Sequence, residues 1–224
     1  RMATRLVVEW TRTSLRVAVA ERRGAAWRLS AVRRLPLGAA EDAAPSLRRL
    51  LAQVKPAQAV VVAVVPRETV MTRVVKFPST DPAELAQMVA LYAKAQLPYP
   101  GEQAVTDFHV VSQRDAFSTV AIVACQREGV DRPLAVLRQA GLTPAAVTVS
   151  AWGVLEWYRQ AQALPGAVEI PGGSIEEPCF IVNVDDSRTD LVLVGDGRVL
   201  SSRSLGQGAD DWRPLEDPTA LLAL

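Results

Sequence analysis

The chain has 224 residues, 49% hydrophobic and 22% charged, a composition that builds a core and excludes a disordered polymer. Twenty-five Lys and Arg nearly balance twenty-four Asp and Glu, but residues 1–50 hold eleven Arg against four acids, and residues 151–224 hold five Arg against twelve acids. The longest apolar run, Ala59–Val65, is far shorter than the roughly 18 residues a membrane helix needs, and no apolar leader segment opens the chain.

Leu6–Val8 reads as a short buried strand and Trp10–Thr13 as a turn. Leu15, Val17 and Val19 alternate with Arg16, Ala18 and Ala20, the period of a half-buried strand. Arg23-Gly24 turns the chain, and Ala25–Leu37 returns with Trp27, Leu29 and Ala31 expected on one face. A helix centred on Ser46–Val54 is expected, its start marked by Glu41, Asp42 and Pro45 and its end by Pro56. The unbroken β-branched run Ala59–Val65 predicts a strand covered on both faces in a parallel or mixed sheet. Val70–Phe77 is a further strand. Asp81 can then cap a helix that Pro82 and Glu84 favour, with Leu85, Met88, Val89 and Tyr92 as its apolar stripe. Leu97-Pro98-Tyr99-Pro100 ends it.

Val105–Val111 and Thr119–Cys125 predict a strand pair across the polar turn Gln113–Ala116. Val130–Gln139 is an amphipathic helix closed by Gly141. Ala145–Val149 is a strand, Trp152–Ala163 a helix, and the Pro- and Gly-rich stretch Leu164–Pro178 a long loop. Cys179–Val184, Asp190–Val194 and Arg198–Ser204 form a second meander, with Asp196-Gly197 as its hairpin signal. Gly206-Gln207-Gly208 reads as an ordinary loop rather than a phosphate loop. Pro218–Leu224 reads as an uncapped helix start, so the last lobe is expected to be partial.

No set of residues predicts catalysis. The two cysteines, Cys125 and Cys179, sit in apolar strand sequence and are expected to be buried thiols. The single histidine, His109, lies in an alternating strand, and no zinc ligand set surrounds it. The N-terminal arginines alternate with apolar residues or fall in turns, without an aromatic-interleaved basic stripe, so no nucleic-acid partner is expected.

Leu6–Leu29 and Phe180–Arg203 share one plan: an apolar strand ending in an acid or amide, a polar turn, an alternating strand, a Gly turn and a third strand. Two such meanders suggest two lobes of a duplicated architecture. On this frame, residues Thr72–Gln160 resemble the type IV pilus assembly protein PilM family. The most specific segment is Leu97–Val110 (LPYPGEQAVTDFHV), which is similar to the family's Ile-Pro-Phe-Pro run with its following acid and Asp-aromatic pair. Phe77–Val89 and Val136–Arg159 support it. The cytoplasmic domain of the type II secretion protein GspL is a related match in kind.

The resemblance implies an α/β, actin-like and ribonuclease H-like fold with mixed sheets flanked by helices and an inserted α+β subdomain. It divides the chain into a first lobe over residues 1–72, an insertion over 73–141, a return over 142–164, a linker over 165–178 and a partial second lobe over 179–224. The family's phosphate loops run Asp-Ile-Gly and then small hydroxyl residues, and their glycine lets backbone N–H groups approach phosphate. Here Glu9 and Thr11 stand in place of Asp and Gly, followed by Ser14 and Arg16. In the second loop Asn183 and Asp185 stand in place of Asp and Gly, followed by Asp186 and Thr189. A Cβ at Thr11 obstructs phosphate, and Asp185 and Asp186 repel it. ATP with Mg²⁺ is therefore disfavoured, no cofactor or metal is expected, and the chain is not expected to be an enzyme.

The implied role is a cytoplasmic scaffold at the inner face of the bacterial inner membrane, in a type IV pilus or type II secretion platform. Its expected partners are a PilN-like or GspM-like bitopic membrane protein, held by its N-terminal tail, and the assembly motor ATPase. Membrane contact is expected only through partners or a segment beyond this chain. Phe77, Tyr92 and Tyr99 are candidate partner contacts. The alternatives are a nucleotide-switched regulator like PilM and FtsA, and the cytoplasmic domain of a GspL-like membrane protein. The charge asymmetry adds one expectation, that Arg12 or Arg16 faces the Asp185-Asp186 turn.

Overall fold

A computed structural model describes residues 3–11, 13–24, 26–37, 43–56, 58–96, 103–162 and 178–212. Its elements are β1 (Thr4–Trp10), β2 (Ser14–Arg23), β3 (Ala26–Pro36), α1 (Ala43–Val54), β4 (Val60–Val65), β5 (Val70–Phe77), α2 (Pro82–Gln96), β6 (Ala104–Arg114), β7 (Phe117–Gln126), α3 (Arg127–Gln139), β8 (Pro144–Val149), α4 (Ser150–Gln162), β9 (Cys179–Val184), β10 (Thr189–Gly195), β11 (Arg198–Leu205) and α5 (Ala209–Trp212). They divide into two compact units. One comprises residues 1–70, 98–105 and 125–150, and the other residues 71–97, 106–124 and 151–224.

The first unit is built on a five-stranded sheet in the order β3-β2-β1-β4-β8. β1, β2 and β3 form an antiparallel meander, while β4 runs parallel to both β1 and β8. β4 is hydrogen-bonded on both edges but is not covered on both faces as its apolar run predicts: Val61, Ala63 and Val65 are buried, whereas Val62 and Val64 are half-buried and Val60 is 51% exposed. Leu6, Val8, Leu15, Val17 and Val19 point to one face, where they pack with Leu47 and Leu50 of α1 and Leu137 of α3. α3, placed by sequence within the 73–141 insertion, thus lies on the core of the first sheet. Gly141 ends it at φ 83°, and Leu142 N–H bonds back to the Leu137 carbonyl, a C-terminal cap only glycine adopts without strain.

One sequence expectation fails in β3. Its register against β2 slips between Val19 and Ala20, so that Val19 faces Ala31 while Ala20 faces Leu29. Ser30 is the extra residue. Because side chains alternate with period two, this bulge sends Ala31 to the core face and leaves Trp27 and Leu29 on the opposite, exposed face.

In the second unit, β5, β7 and β6 form a three-stranded sheet in that order, with α2 against it. Phe77, Leu85, Val89, Val120 and Ile122 make its core. Asp81 caps α2 as its sequence predicts, accepting from Ala83 N–H at 2.8 Å and Glu84 N–H at 3.0 Å.

The second meander of this unit is ordered β11-β10-β9. Asp196 (φ 50°) and Gly197 (φ 66°) make its hairpin turn, the paired left-handed geometry that Asp-Gly favours. Val192 and Val194 are buried on one face. On the other, Phe180 and Val182 are 67% and 57% exposed, whereas Leu6 and Val8, their counterparts in the repeat, are buried. Arg198 ties this meander to β6 by donating to the carbonyls of Val110, at 2.7 Å, and Val111.

Candidate functional site

The two polar turns that stand where phosphate loops are expected have different local chemistry. In the first, between β1 and β2, Thr11 is buried. Its Oγ1 accepts from the backbone N–H of Ser14 at 2.9 Å and of Thr13 at 3.3 Å, and donates to the Ser14 carbonyl at 3.1 Å. The Thr11 N–H also donates to the Ser14 carbonyl, at 2.9 Å. Thr11 therefore does more than crowd the turn with a Cβ. Its hydroxyl takes the backbone donors that a glycine at this position would leave for a phosphate. Glu9 at the end of β1 pairs with Arg16 of β2 at 3.2 Å, across the register that sets them opposite.

The second turn, between β9 and β10, closes on itself. Asp185 N–H donates to the Arg188 carbonyl at 2.8 Å, and Asp186 N–H donates to Asp185 Oδ1 at 2.9 Å. The Asp185 and Asp186 carbonyls accept from Ala209 and Asp210 N–H, each at 2.8 Å, so the start of α5 is joined to this turn. Thr189 is buried, and its hydroxyl donates to the Gln207 carbonyl at 2.8 Å.

The sequence reading looked to Arg12 or Arg16 for a counter-charge to the Asp185-Asp186 turn, and the structure shows one inside the turn itself. Arg188, buried in the same turn, places Nη2 3.7 Å from Asp185 Oδ2 and Nε 3.6 Å from Asp190 Oδ2. Asp190 is fully buried, and its Oδ1 accepts from Ser204 Oγ at 2.5 Å. Arg188 is the element missed from sequence; a base three residues after an acid, across a tight turn, was the signal for it.

Gly208 is likewise more than a loop glycine. It immediately precedes α5, and a Cβ there would stand 2.4 Å from both the Arg188 backbone nitrogen and the Asp185 carbonyl oxygen. That space is already filled by the turn. The described residues of the two turns do not fit a nucleotide phosphate: in the first the Thr13 and Ser14 N–H groups are taken by Thr11 Oγ1, and in the second carboxylates with an internal guanidinium stand at the turn. Among the described residues, no group of three or more His, Cys, Asp or Glu stands where it could hold a metal ion.

Arg12 and Tyr99 lie outside the described residues. Arg16 and Asp185 each have an ionic partner in their own unit, Glu9 and Arg188 respectively. Phe77 is buried, and its ring meets the Tyr92 ring edge-on, with centroids 6.2 Å apart. Tyr92 is partly buried at the border of α2. Sequence reasoning overlooked Leu91, which is exposed beside it. Met88, Leu91 and Tyr92, at i, i+3 and i+4, give α2 an apolar border.

His109 on β6 meets the Trp152 ring edge-on, with centroids 5.6 Å apart. Desolvation lowers its pKa from 6.5, the Arg198 charge acts in the same direction, and a backbone hydrogen bond at Val199 and the Asp107 charge oppose them. Both cysteines are free thiols. Cys125 is buried, and its pKa is raised by desolvation; Cys179 is only half-buried, against expectation.

Residues 30–212 match the family described as type IV pilus assembly protein PilM. A solved PilM-PilN type IV pilus biogenesis complex has a chain of the same fold, with TM-score 0.75 and 22% identity; the match covers 94% of this chain but only 63% of that one. The cytoplasmic domain of EpsL, an inner-membrane component of the Vibrio cholerae type II secretion system, gives TM-score 0.60 at 12% identity, covering 91% of this chain and 71% of that one. A Bacteroides thetaiotaomicron protein with an actin-like ATPase fold and unknown function gives TM-score 0.51 at 10% identity, covering 98% and 75%. The fold is the actin-like α/β fold.

Proposed function

The chain belongs to the type IV pilus assembly protein PilM family, and from that premise we propose that it is a non-catalytic scaffold of an assembly platform at the inner face of the bacterial inner membrane. The observation that carries the non-catalytic part is the internal closure of both turns. Thr11 Oγ1 takes the N–H groups of Thr13 and Ser14, and Arg188 stands between Asp185 and Asp190. In each turn a phosphate would have to compete with these internal partners.

The positive role is to hold the N-terminal cytoplasmic tail of a bitopic, PilN-like membrane protein, the kind of partner named with PilM in the solved complex. An extended tail is gripped by main-chain hydrogen bonds and by apolar anchors. The apolar border of α2, with Leu91 and Tyr92, suits the second requirement, and Tyr99 is a further candidate. Phe77 holds the Tyr92 ring from below rather than meeting the partner. Contact with the assembly motor ATPase belongs to the same reading.

The test is capture of a synthetic peptide copying the partner's N-terminal tail by the purified chain. Retention by the folded chain, weakened by Leu91→Ser and Tyr92→Ala, is the expected result; no retention refutes the scaffold reading. Calorimetry with ATP and Mg²⁺ tests the other half. A stoichiometric, Mg²⁺-dependent signal would establish a nucleotide-switched regulator in its place.

A further inference from the structure

Residues 21–36 carry five arginines against one acid, Glu21. They form the β2–β3 hairpin, and the bulge at Ser30 decides what its outward face presents. Arg22 faces Trp27, Ala20 faces Leu29 and Ala18 faces Val32, so these three apolar side chains share the face turned away from the α1 core. Trp27, Leu29 and Val32 are 40%, 63% and 58% exposed. Arg5, on β1 beside Ala20, lays its guanidinium 4.4 Å over the Trp27 ring centroid. On this face Trp27, Leu29 and Val32 stand with Arg5, Arg22 and Arg34, while Arg23, Arg28 and Arg33 lie on the opposite face.

Two kinds of partner suit arginine mixed with apolar surface, an acidic peptide and an anionic membrane. A peptide would be expected to extend the sheet at the free edge of β3. That edge is broken by the bulge, where Ser30 Oγ turns back to the Val19 carbonyl at 3.3 Å, and it carries the exposed charges Arg28 and Arg33. Bulges and edge charges are devices that oppose strand addition. Among the described residues, Trp27, Leu29 and Val32 on the face itself are exposed. Tryptophan settles at the headgroup level of a bilayer, and arginines are drawn to an anionic leaflet while their stems lie on apolar surface.

We propose that the outward face of the β2–β3 hairpin, centred on Trp27, Leu29 and Val32 with Arg5 and Arg22, docks on the surface of an anionic phospholipid bilayer. This is a direct contact, added to the one expected through a membrane partner. It rests on the assembly-platform reading only for which membrane the chain meets.

The test is co-sedimentation of the purified chain with phosphatidylcholine vesicles, with and without phosphatidylglycerol. Binding is expected only to the anionic vesicles, and it weakens as salt rises. Arg5→Gln and Arg22→Gln should each reduce partitioning about fivefold, and Trp27→Ser should reduce it further. All three positions are on the surface, so circular dichroism should show the same fold. Absence of binding at low salt overturns the proposal, as does binding that these substitutions leave unchanged. Capture of an acidic peptide at this face, with no vesicle binding, also overturns it, in favour of a protein partner. Tail-peptide capture is measured on the same variants and should be unaltered. A chain that binds vesicles but not the tail peptide defeats the scaffold reading alone.

Discussion

Arg188→Met removes the guanidinium that lies between Asp185 and Asp190 while keeping most of the side chain's apolar bulk. Arg188 and Asp190 are both buried, and the pair distances are 3.7 and 3.6 Å. Breaking a buried pair costs about 3–5 kcal/mol, because the remaining charge keeps its desolvation penalty and loses its compensation. These distances are longer than a tight charge-assisted hydrogen bond, which argues for the lower end, about 3 kcal/mol. For a chain of this size that corresponds to a fall in Tm of about 6–12 °C. Adding Asp190→Asn removes the stranded carboxylate and keeps an acceptor for Ser204 Oγ, so the double variant should regain about 1–2 kcal/mol over Arg188→Met. Urea unfolding followed by tryptophan fluorescence measures all members of the cycle. A cost below about 0.5 kcal/mol for Arg188→Met, the range of an ordinary surface substitution, would refute the reasoning. So would a double variant less stable than Arg188→Met alone.

Gly208→Ala should destabilise the chain by about 1–3 kcal/mol, because its Cβ meets the backbone of the 185–188 turn; Gly206→Ala, with nothing within 4 Å of its Cβ, is the neutral control in the same melts. Thr11→Ala should cost about 1 kcal/mol, and Thr11→Ser should retain most of it, since serine keeps the hydroxyl that accepts from Ser14 and Thr13; equal losses would remove the hydroxyl from the explanation. His109 is held neutral by burial, its folded pKa lying below 6.5. Its contribution is therefore present above about pH 6.5 and is lost as pH falls through that value towards the folded pKa. Denaturation midpoints at pH 8 and pH 5 should show the decline, and His109→Gln should flatten it.

What was legible in the sequence, and what was not, divides along a physical line. The elements followed from local patterns: β4 from its unbroken apolar run, α2 from Asp81 and Pro82, and the β10–β11 hairpin from Asp196-Gly197. Each depends on a few neighbouring residues. The bulge at Ser30 did not show, because Trp27, Leu29 and Ala31 alternate without interruption and only pairing with β2 reveals the slip. α3 looked like part of the insertion because chain order places it there; Leu137 joins the first sheet through contacts distant in sequence. At the candidate site the substitutions at Thr11 and Asp185 were visible, and so was the conflict with phosphate. Their resolution was not, because it depends on where the Thr11 hydroxyl and the Arg188 guanidinium turn. Gly208 was unreadable for a similar reason: its necessity comes from a turn about twenty residues earlier in the chain, packed against its Cα.

The two meanders offer a measurement of their own. They share one strand plan, but the face that holds Leu6 and Val8 under α1 in the first is bare at Phe180 and Val182 in the second. Among the described residues β9 is also an edge strand, paired with β10 alone. Amide exchange depends on such differences, since protection tracks the apolar contacts that must be given up to open a segment. β9 should therefore exchange hydrogen ahead of β1. The two meanders of this chain would then differ in resilience, with one acting as a rigid keel and the other as a surface that breathes.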